Sequence, residues 1–106
     1  MIILTATTDS ITVNLDGTVT TNQLPCIASW RDITTTAYTP GRTVLNTNNA
    51  SKVTVVGSPA SSTQRVIDFI NIQNADTVTR IVTVAYDLNG TFYTLYNVTL
   101  AAGESV

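Results

Sequence analysis

The sequence predicts an all-β fold, an antiparallel β-sandwich of about seven or eight short strands, jelly-roll-like or immunoglobulin-like. About one residue in five is Thr, whose branched side chain fits a pleated strand surface. Side chains that favour long helices are scarce, since the chain has one Lys and one Glu. Alternating apolar runs are separated by turn residues about every 8–12 positions. Because the chain has 106 residues, we expect one domain spanning residues 1–106.

The first half of the chain contains four candidate strand segments. Ile11, Val13 and Leu15 alternate with polar residues, which predicts a half-buried strand. A second strand is predicted over residues 24–33, which residues 34–38 can extend and Thr39-Pro40-Gly41 ends. Residues 43–45 form a short apolar piece, and residues 52–56 predict another strand. The segments 46–50 and 57–62 have the composition of loops.

The second half contains the clearest strand signals. Residues 65–72 are almost continuously apolar, which predicts a central strand covered on both faces. Asn89-Gly90 predicts a type I′ hairpin, because both central residues of that turn need a positive φ. The flanking strands are predicted over residues 78–86 and 91–100, and residues 101–104 form a final turn. Val78, Val82, Val84 and Tyr86 are predicted to share one face of the first of these strands, and Phe92, Tyr96, Val98 and Leu100 one face of the second.

The residue types needed for catalysis are poorly represented. Histidine is absent, which removes the usual general base and the commonest metal ligand. Asp16, Asp76 and Asp87 lie in or beside turns, where carboxylates commonly accept hydrogen bonds from backbone N–H groups. We expect Asp32 and Asp68 to form ion pairs with one of the arginines at positions 31, 65 and 80, or to lie on a solvated face. The sequence therefore predicts a non-enzymatic protein with no catalytic residues, no cofactor and no metal site, and a buried Cys26.

The low charge of the chain limits the classes of partner that we expect. Charged residues make up 11% of the chain, the net charge is −2, and the five basic residues are dispersed. Nucleic acids and anionic membranes are bound by clustered Lys and Arg, so we expect neither as a partner. No apolar run approaches the roughly 20 residues of a membrane span, so synthesis in a cytoplasm is expected. Few Lys and Pro residues protect the strand edges, which favours contact with copies of itself, such as a homotrimer, or with a large scaffold.

The aromatic residues suggest an alternative function. Aromatic side chains can form a platform for glycans, and Trp30 and Tyr93 are the candidates for such a site. Three aromatics of the last hairpin, Tyr86, Phe92 and Tyr96, are instead predicted on one face beside valines. Packing in the core or against another protomer is therefore the favoured role for them.

Several segments resemble a group of small virion proteins of tailed bacteriophages. Residues 55–77 read V-V-G-S-P-A-S-S-T-Q-R-V-I-D-F-I-N-I-Q-N-A-D-T, and residues 100–106 read L-A-A-G-E-S-V. The opening segment, T-A-T-T-D-S-I-T-V-N-L over residues 5–15, and Asn89-Gly90 add to the similarity. The resemblance implies a β-sandwich virion protein made in the bacterial host cytoplasm. It implies either a capsid decoration (cement) protein bound to the coat protein, or the particle-binding or receptor-binding module of a head, neck or tail fibre or spike.

The candidate contact residues come from positions that reach partners easily. Termini and loops are exposed in most folds, so we expect contacts from the first strand and from two loops. The residues are Ile2, Ile3, Leu4 and Thr5 in the strand, Asn46, Asn48 and Asn49 in one loop, and Pro59 and Ser61 in the other.

Overall fold

Eight antiparallel strands form two four-stranded sheets in the computed structural model, which describes residues 2–106. The predicted β-sandwich is therefore confirmed. One sheet has the strand order β1-β6-β3-β4 and is called the β3/β6 sheet; the other has the order β5-β2-β7-β8 and is called the β2/β7 sheet. The strands are β1 (Ile2–Leu4), β2 (Asp9–Leu15), β3 (Pro25–Ile33), β4 (Tyr38–Asn46), β5 (Val53–Val56), β6 (Gln64–Ile72), β7 (Arg80–Leu88) and β8 (Thr91–Leu100).

The core lies between the two sheets and follows the predicted alternation. Ile11, Val13 and Leu15 of β2 are at most 1% exposed, and they meet Val82 and Val84 of the neighbouring β7. The opposite sheet supplies the other side of the core. Its members include Cys26, Ala28, Ile67 and Ile72. Cys26 is buried as predicted, and burial raises the pKa of its thiol to about 11.

The β7–β8 hairpin turns at Asn89-Gly90, as the sequence predicts. The φ angles of these residues are 51° and 92°, so both occupy the left-handed region that a type I′ turn requires. The Asp87 carboxylate accepts a hydrogen bond of 2.7 Å from the Gly90 N–H, which fixes the turn. The β3–β4 hairpin also stays within one sheet, whereas the other five connections cross between the sheets.

The predicted break after β3 is placed wrongly. Thr34 to Ala37 form the turn, in which the Ala37 N–H donates to Thr34 Oγ1 over 3.0 Å, so residues 34–38 do not extend β3. Pro40 and Gly41, predicted to end a strand, lie inside β4. Proline is tolerated because β4 is an edge strand. Glycine is needed because a Cβ at position 41 would come within 2.8 Å of the Trp30 indole.

A bulge in β6 overturns the prediction that this strand is covered on both faces. Asp68 is an extra residue, since Ile67 lies opposite Trp30 and Phe69 lies opposite the adjacent Ser29. A one-residue bulge moves the following side chains to the other face of the sheet. Phe69 therefore points outward and is 51% exposed.

A second bulge separates the aromatic residues of β8. Leu95 is the extra residue, because Thr94 lies opposite Ala85 and Tyr96 lies opposite the adjacent Val84. Tyr96 packs against the core, but Phe92 lies on the outer face and is 44% exposed. The prediction that Phe92 and Tyr96 share one strand face is wrong for this reason. Val78, predicted to share a strand face with Val82 and Val84, precedes β7 and is 42% exposed.

Candidate interaction surface

The outer side of the β3/β6 sheet carries a group of exposed apolar side chains from all four strands, here called the apolar face. Ile27 on β3 lies opposite Val44 on β4, and these side chains are 40% and 65% exposed. They point outward because they alternate with the buried Cys26 and Ala28. The members of the apolar face are Ile3, Ile27, Ile33, Tyr38, Val44 and Phe69.

The charged groups on this side of the sheet are few. Arg31 donates from Nε to Asp68 Oδ1 over 2.9 Å, and the two side chains are 35% and 41% exposed. The opposite charges of this ion pair cancel, and the pair lies near the middle of the apolar face. Arg42, which lies opposite Ser29, adds one exposed positive charge. A partner would therefore desolvate mainly apolar groups, which is favourable, and few charges, which is costly.

The outer side of the β2/β7 sheet is different, and we call it the threonine face. One row across this sheet reads Thr54, Thr12, Ala85 and Thr94, from β5 to β8. The two central residues of the row, Thr12 and Ala85, are only 4% and 2% exposed. Thr83, Asn97 and Thr99 continue the polar surface, and Ile81 and Phe92 are its exposed apolar residues. The Lys52 ammonium lies 4.6 Å from the Phe92 ring centroid, a cation–π contact.

Asp76 is the most extensively hydrogen-bonded carboxylate, and its role is structural. It accepts from the backbone N–H groups of Thr20, Thr21 and Thr77 at 3.0, 2.8 and 2.8 Å and from Arg80 Nε at 2.9 Å. Burial alone would raise its pKa, but these hydrogen bonds hold the pKa well below its usual range. The predicted capping role of this carboxylate is confirmed.

Asn74 belongs to the same internal hydrogen-bond network as Asp76. It is fully buried, and its side-chain amide donates to the carbonyls of Val78 and Leu100, each over 2.9 Å. Its Oδ1 accepts from the Asp76 N–H over 3.0 Å. The Asn74-Ala-Asp-Thr segment therefore fastens the end of β8 to the β6–β7 connection and to residues 20–22. Every one of these polar atoms is occupied within the chain, so they offer nothing to a ligand.

Trp30 belongs to a second internal cluster. The Arg65 guanidinium lies 4.7 Å from the indole centroid, and Arg65 also donates to both Asp32 oxygens at 2.8 and 2.9 Å. The predicted ion pairs of Asp32 and Asp68 are thus both present. Trp30 packs against the core, whereas Tyr93 is 55% exposed on the other sheet. The two residues of the predicted glycan site therefore lie on different sheets and are not brought together.

The buried Asp9 and the half-buried Tyr86 form a hydrogen-bonded pair beside the β1–β2 connection. The Tyr86 hydroxyl donates to Asp9 Oδ2 over 2.9 Å, and the Ala6 N–H donates to the same oxygen over 3.1 Å. Burial, and then the hydrogen bond and charge of Asp9, raise the pKa of Tyr86 to about 12. Asp9 stands alone as an acid here, and no three His, Cys, Asp or Glu side chains within residues 2–106 converge as metal ligands would.

Only part of the first strand, for which partner contacts are predicted, is exposed. Ile3 is 38% exposed and lies at the border of the apolar face, and Thr5 is exposed. Leu4 is fully buried, and Ile2 is half-buried against the core. These two side chains point inward because they alternate with Ile3.

The two loops that were predicted to bind a partner lie at opposite ends of the β3/β6 sheet. Asn46 pairs with Pro25 at one end of β3, whereas residues 58–62 precede Gln64, which pairs with Ile33 at the other end. Nine-residue strands separate these ends by roughly 26 Å. The loops therefore do not form one surface with each other.

Within each loop, some of the candidate residues are exposed and others have internal roles. Asn46, Asn48 and Ser61 are exposed, but Pro59 is buried. Asn49 has a φ of 52°, and its Oδ1 accepts from the Val19 N–H over 3.0 Å and from Gln23 Nε2 over 2.8 Å. Asn49 therefore shapes its loop.

A shallow groove of about 310 Å³ opens on one side of the sandwich, between β8 and the β1–β6 pair. It is lined by Ile2, Ile67, Asp68, Phe69, Ile70 and Tyr96. β1 pairs with residues 65–67 of β6, and Val106 exchanges two hydrogen bonds with Ile72. Between these contacts the described chain leaves the edge of β6 uncovered, which forms the groove.

Sequence reasoning did not find the apolar face. Phe69 was assigned to a strand covered on both faces, and Val44 to a short piece after a break. The signal that was available is the alternation of β3, in which Ile27 and Ile33 share one face and Cys26 and Ala28 share the other. Two apolar faces on one strand indicate that something covers each of them.

The chain matches no family model, no curated protein and no solved structure in comparisons of sequence and fold. Residues 2–106 also contain no helix of the length and apolarity that crossing a membrane requires.

Proposed function

We propose that this chain is a non-enzymatic structural protein of a bacteriophage virion, a capsid decoration protein that binds the coat protein and stabilises the head. The apolar face carries the proposal. Monomeric proteins rarely expose large apolar patches unless these meet a partner, and each of the four strands of this sheet contributes exposed apolar side chains to the apolar face, including the neighbouring pairs Ile27–Val44 and Ile33–Tyr38. The resemblance of residues 55–77 and 100–106 to small phage virion proteins supports the choice of a viral particle as that partner.

The size of the apolar face suits a moderate docking energy. Covering one half-exposed Ile, Val or Phe side chain gains about 1 kcal/mol, at roughly 25 cal/mol per Å² of apolar surface. The five Ile, Val and Phe side chains of the apolar face provide a gross gain of roughly 5 kcal/mol before the cost of association. Many copies that bind next to one another would add contacts between copies to this gain.

The second candidate is a particle-binding or receptor-binding module of a head, neck or tail fibre. Its support is the exposed aromatic tip of the β7–β8 hairpin, where Phe92 and Tyr93 are 44% and 55% exposed. Aromatic rings at exposed positions can stack on sugars. Trp30 does not contribute to such a surface because it packs against the core.

Counting copies on particles tests the proposal and separates the two candidates. Purified protein is added to particles of the encoding phage that lack it, and bound protein is quantified against the coat protein after sedimentation. A decoration protein binds in hundreds of copies and raises the temperature at which the head opens. A dozen copies or fewer would favour the fibre module, and a glycan signal that is lost in Tyr93→Ala would support it further. No binding to particles would overturn both candidates.

A further inference from the structure

The four edge strands of the sandwich differ in their suitability for pairing with another chain. β1 and β5 contain only three and four residues. β4 contains nine residues, but Pro40 and Arg42 interrupt it with a missing donor and a charge. β8 contains ten residues and pairs only with β7 among the described strands, and the bulge at Leu95 divides it into two regular segments, residues 91–94 and 96–100, that are available for pairing. Long edges without Lys, Pro or another charge are the ones that pair with other chains.

The composition of β8 favours a second copy of the same strand as its partner. Under two-fold symmetry an antiparallel edge strand faces its own sequence, so a charge near the middle of the strand would lie close to the same charge of the other copy. β8 reads Thr-Phe-Tyr-Thr-Leu-Tyr-Asn-Val-Thr-Leu and carries no charge. On β4, by contrast, the same symmetry would bring Arg42 towards its own copy.

The surroundings of β8 also leave apolar surface for a second copy to cover. Tyr93 and Leu95 are 55% and 38% exposed. The groove of about 310 Å³ opens on the same side of the sandwich, with Tyr96 of β8 as one wall and Ile2, Ile67 and Ile70 opposite. A copy that pairs along β8 would bring the two grooves towards each other and remove this surface from water.

We propose that β8 pairs antiparallel with β8 of a second copy, so that two β2/β7 sheets become one continuous eight-stranded sheet. The inference is independent of the viral function, because it rests on the edge and not on the apolar face. It also differs from the three-fold ring expected from the sequence, because a two-fold contact between identical edges joins the copies as dimers. In the dimer both apolar faces remain uncovered.

Sedimentation equilibrium of the pure full chain tests the proposal. We expect a monomer–dimer equilibrium between about 10 µM and 1 mM, the range of weak interfaces. Thr94→Lys places an ammonium group from each copy beside the two paired β8 strands. It should raise the dissociation constant of the dimer at least about tenfold. Thr54→Lys is the matched control, because Thr54 lies at the other end of the same row across the sheet. It should leave the dimer unchanged.

Amide hydrogen exchange of the unmodified chain provides a second test, which does not require the variants to fold. Exchange of β8 amides in the unmodified chain should slow as concentration rises, while exchange in β4 and β5 stays constant. A monomer at about 1 mM, a trimer, or a dimer unaffected by a folded Thr94→Lys variant would each overturn the proposal. A dimer weakened instead by Ile27→Thr would place the contact on the apolar face and also overturn it.

Discussion

The two outer faces of this sandwich contain isoleucines with nearly the same exposure in very different surroundings. Ile27 on the apolar face is 40% exposed and lies opposite Val44, which is 65% exposed. Ile81 on the threonine face is 38% exposed and lies opposite Thr99. A single exposed isoleucine among threonines is ordinary, whereas neighbouring apolar residues on adjacent strands form a patch. The comparison shows that the neighbours of a residue, and not its own exposure, identify the interaction surface.

The largest expected loss of stability comes from a residue that supports the whole sandwich and lies on neither outer face. Asp76→Asn removes the charge that accepts hydrogen bonds from Thr20, Thr21, Thr77 and Arg80, so buried donors lose their partner. The melting temperature should fall by on the order of 10 °C. Thermal unfolding followed by circular dichroism measures the change.

The matched control for that variant lies on the apolar face itself. Asp68→Asn makes the same chemical change in a carboxylate that is 41% exposed and that, among residues 2–106, pairs with Arg31 alone. Exposed ion pairs contribute little, so the melting temperature should change by less than about 2 °C. Equal losses in the two variants would contradict the structural role assigned to Asp76.

The next prediction tests the packing of β4 against Trp30, which supports one side of the apolar face. In Gly41→Ala the new Cβ would lie 2.8 Å from the indole, so the ring or the strand must shift. Overpacking of this kind costs about 1–3 kcal/mol of the free energy of unfolding. Gly57→Ala is the control, because its Cβ would lie 3.8 Å from Arg65 in ordinary contact. Urea denaturation compares the two, and a Gly41→Ala variant as stable as the control would contradict the packing described.

The free energy of unfolding at alkaline pH depends on Tyr86, which lies on the inner side of the β2/β7 sheet. The pKa of this hydroxyl is raised from 10.0 to about 12, so the folded state favours the protonated form. This contribution is fully present below pH 10 and is lost as pH rises towards 12. Tyr86→Phe should therefore lose less stability between those pH values than the unmodified chain. Denaturant midpoints measured across this range check the sign, and identical slopes for both proteins would contradict it.

The smallest expected effect comes from the ion pair on the apolar face. Arg31→Gln removes a partner that is 35% exposed, and the free energy of unfolding should change by less than about 1 kcal/mol. If the apolar side chains provide the docking energy, particle binding should also change little, by less than about fivefold. A complete loss of binding in this variant would shift the account from apolar contact to charge recognition.

The sequence predicts the fold better than the surface. Period-two patterns located β2 and β7, and Asn89-Gly90 located the hairpin, because these signals are local. The bulges at Asp68 and Leu95 depend on the strand across the sheet, and they changed the faces of Phe69 and Phe92. Pro40 and Gly41 predict a break, and they fit inside β4 because of its edge position and the Trp30 indole beside Gly41. The apolar face is not predicted because Val44 on β4 and Phe69 on β6 are assigned to the wrong surroundings, although β3 is located correctly.

Particle binding by two matched variants tests the central claim that the apolar face is the docking surface. Ile27→Thr and Ile81→Thr make the same substitution at side chains that are 40% and 38% exposed on opposite faces. Each is titrated onto particles of the encoding phage that lack the protein, and bound copies are counted after sedimentation. The account predicts that Ile27→Thr weakens binding about five- to tenfold and that Ile81→Thr binds like the unmodified chain. Equal binding by both variants, or a loss confined to Ile81→Thr, would contradict it.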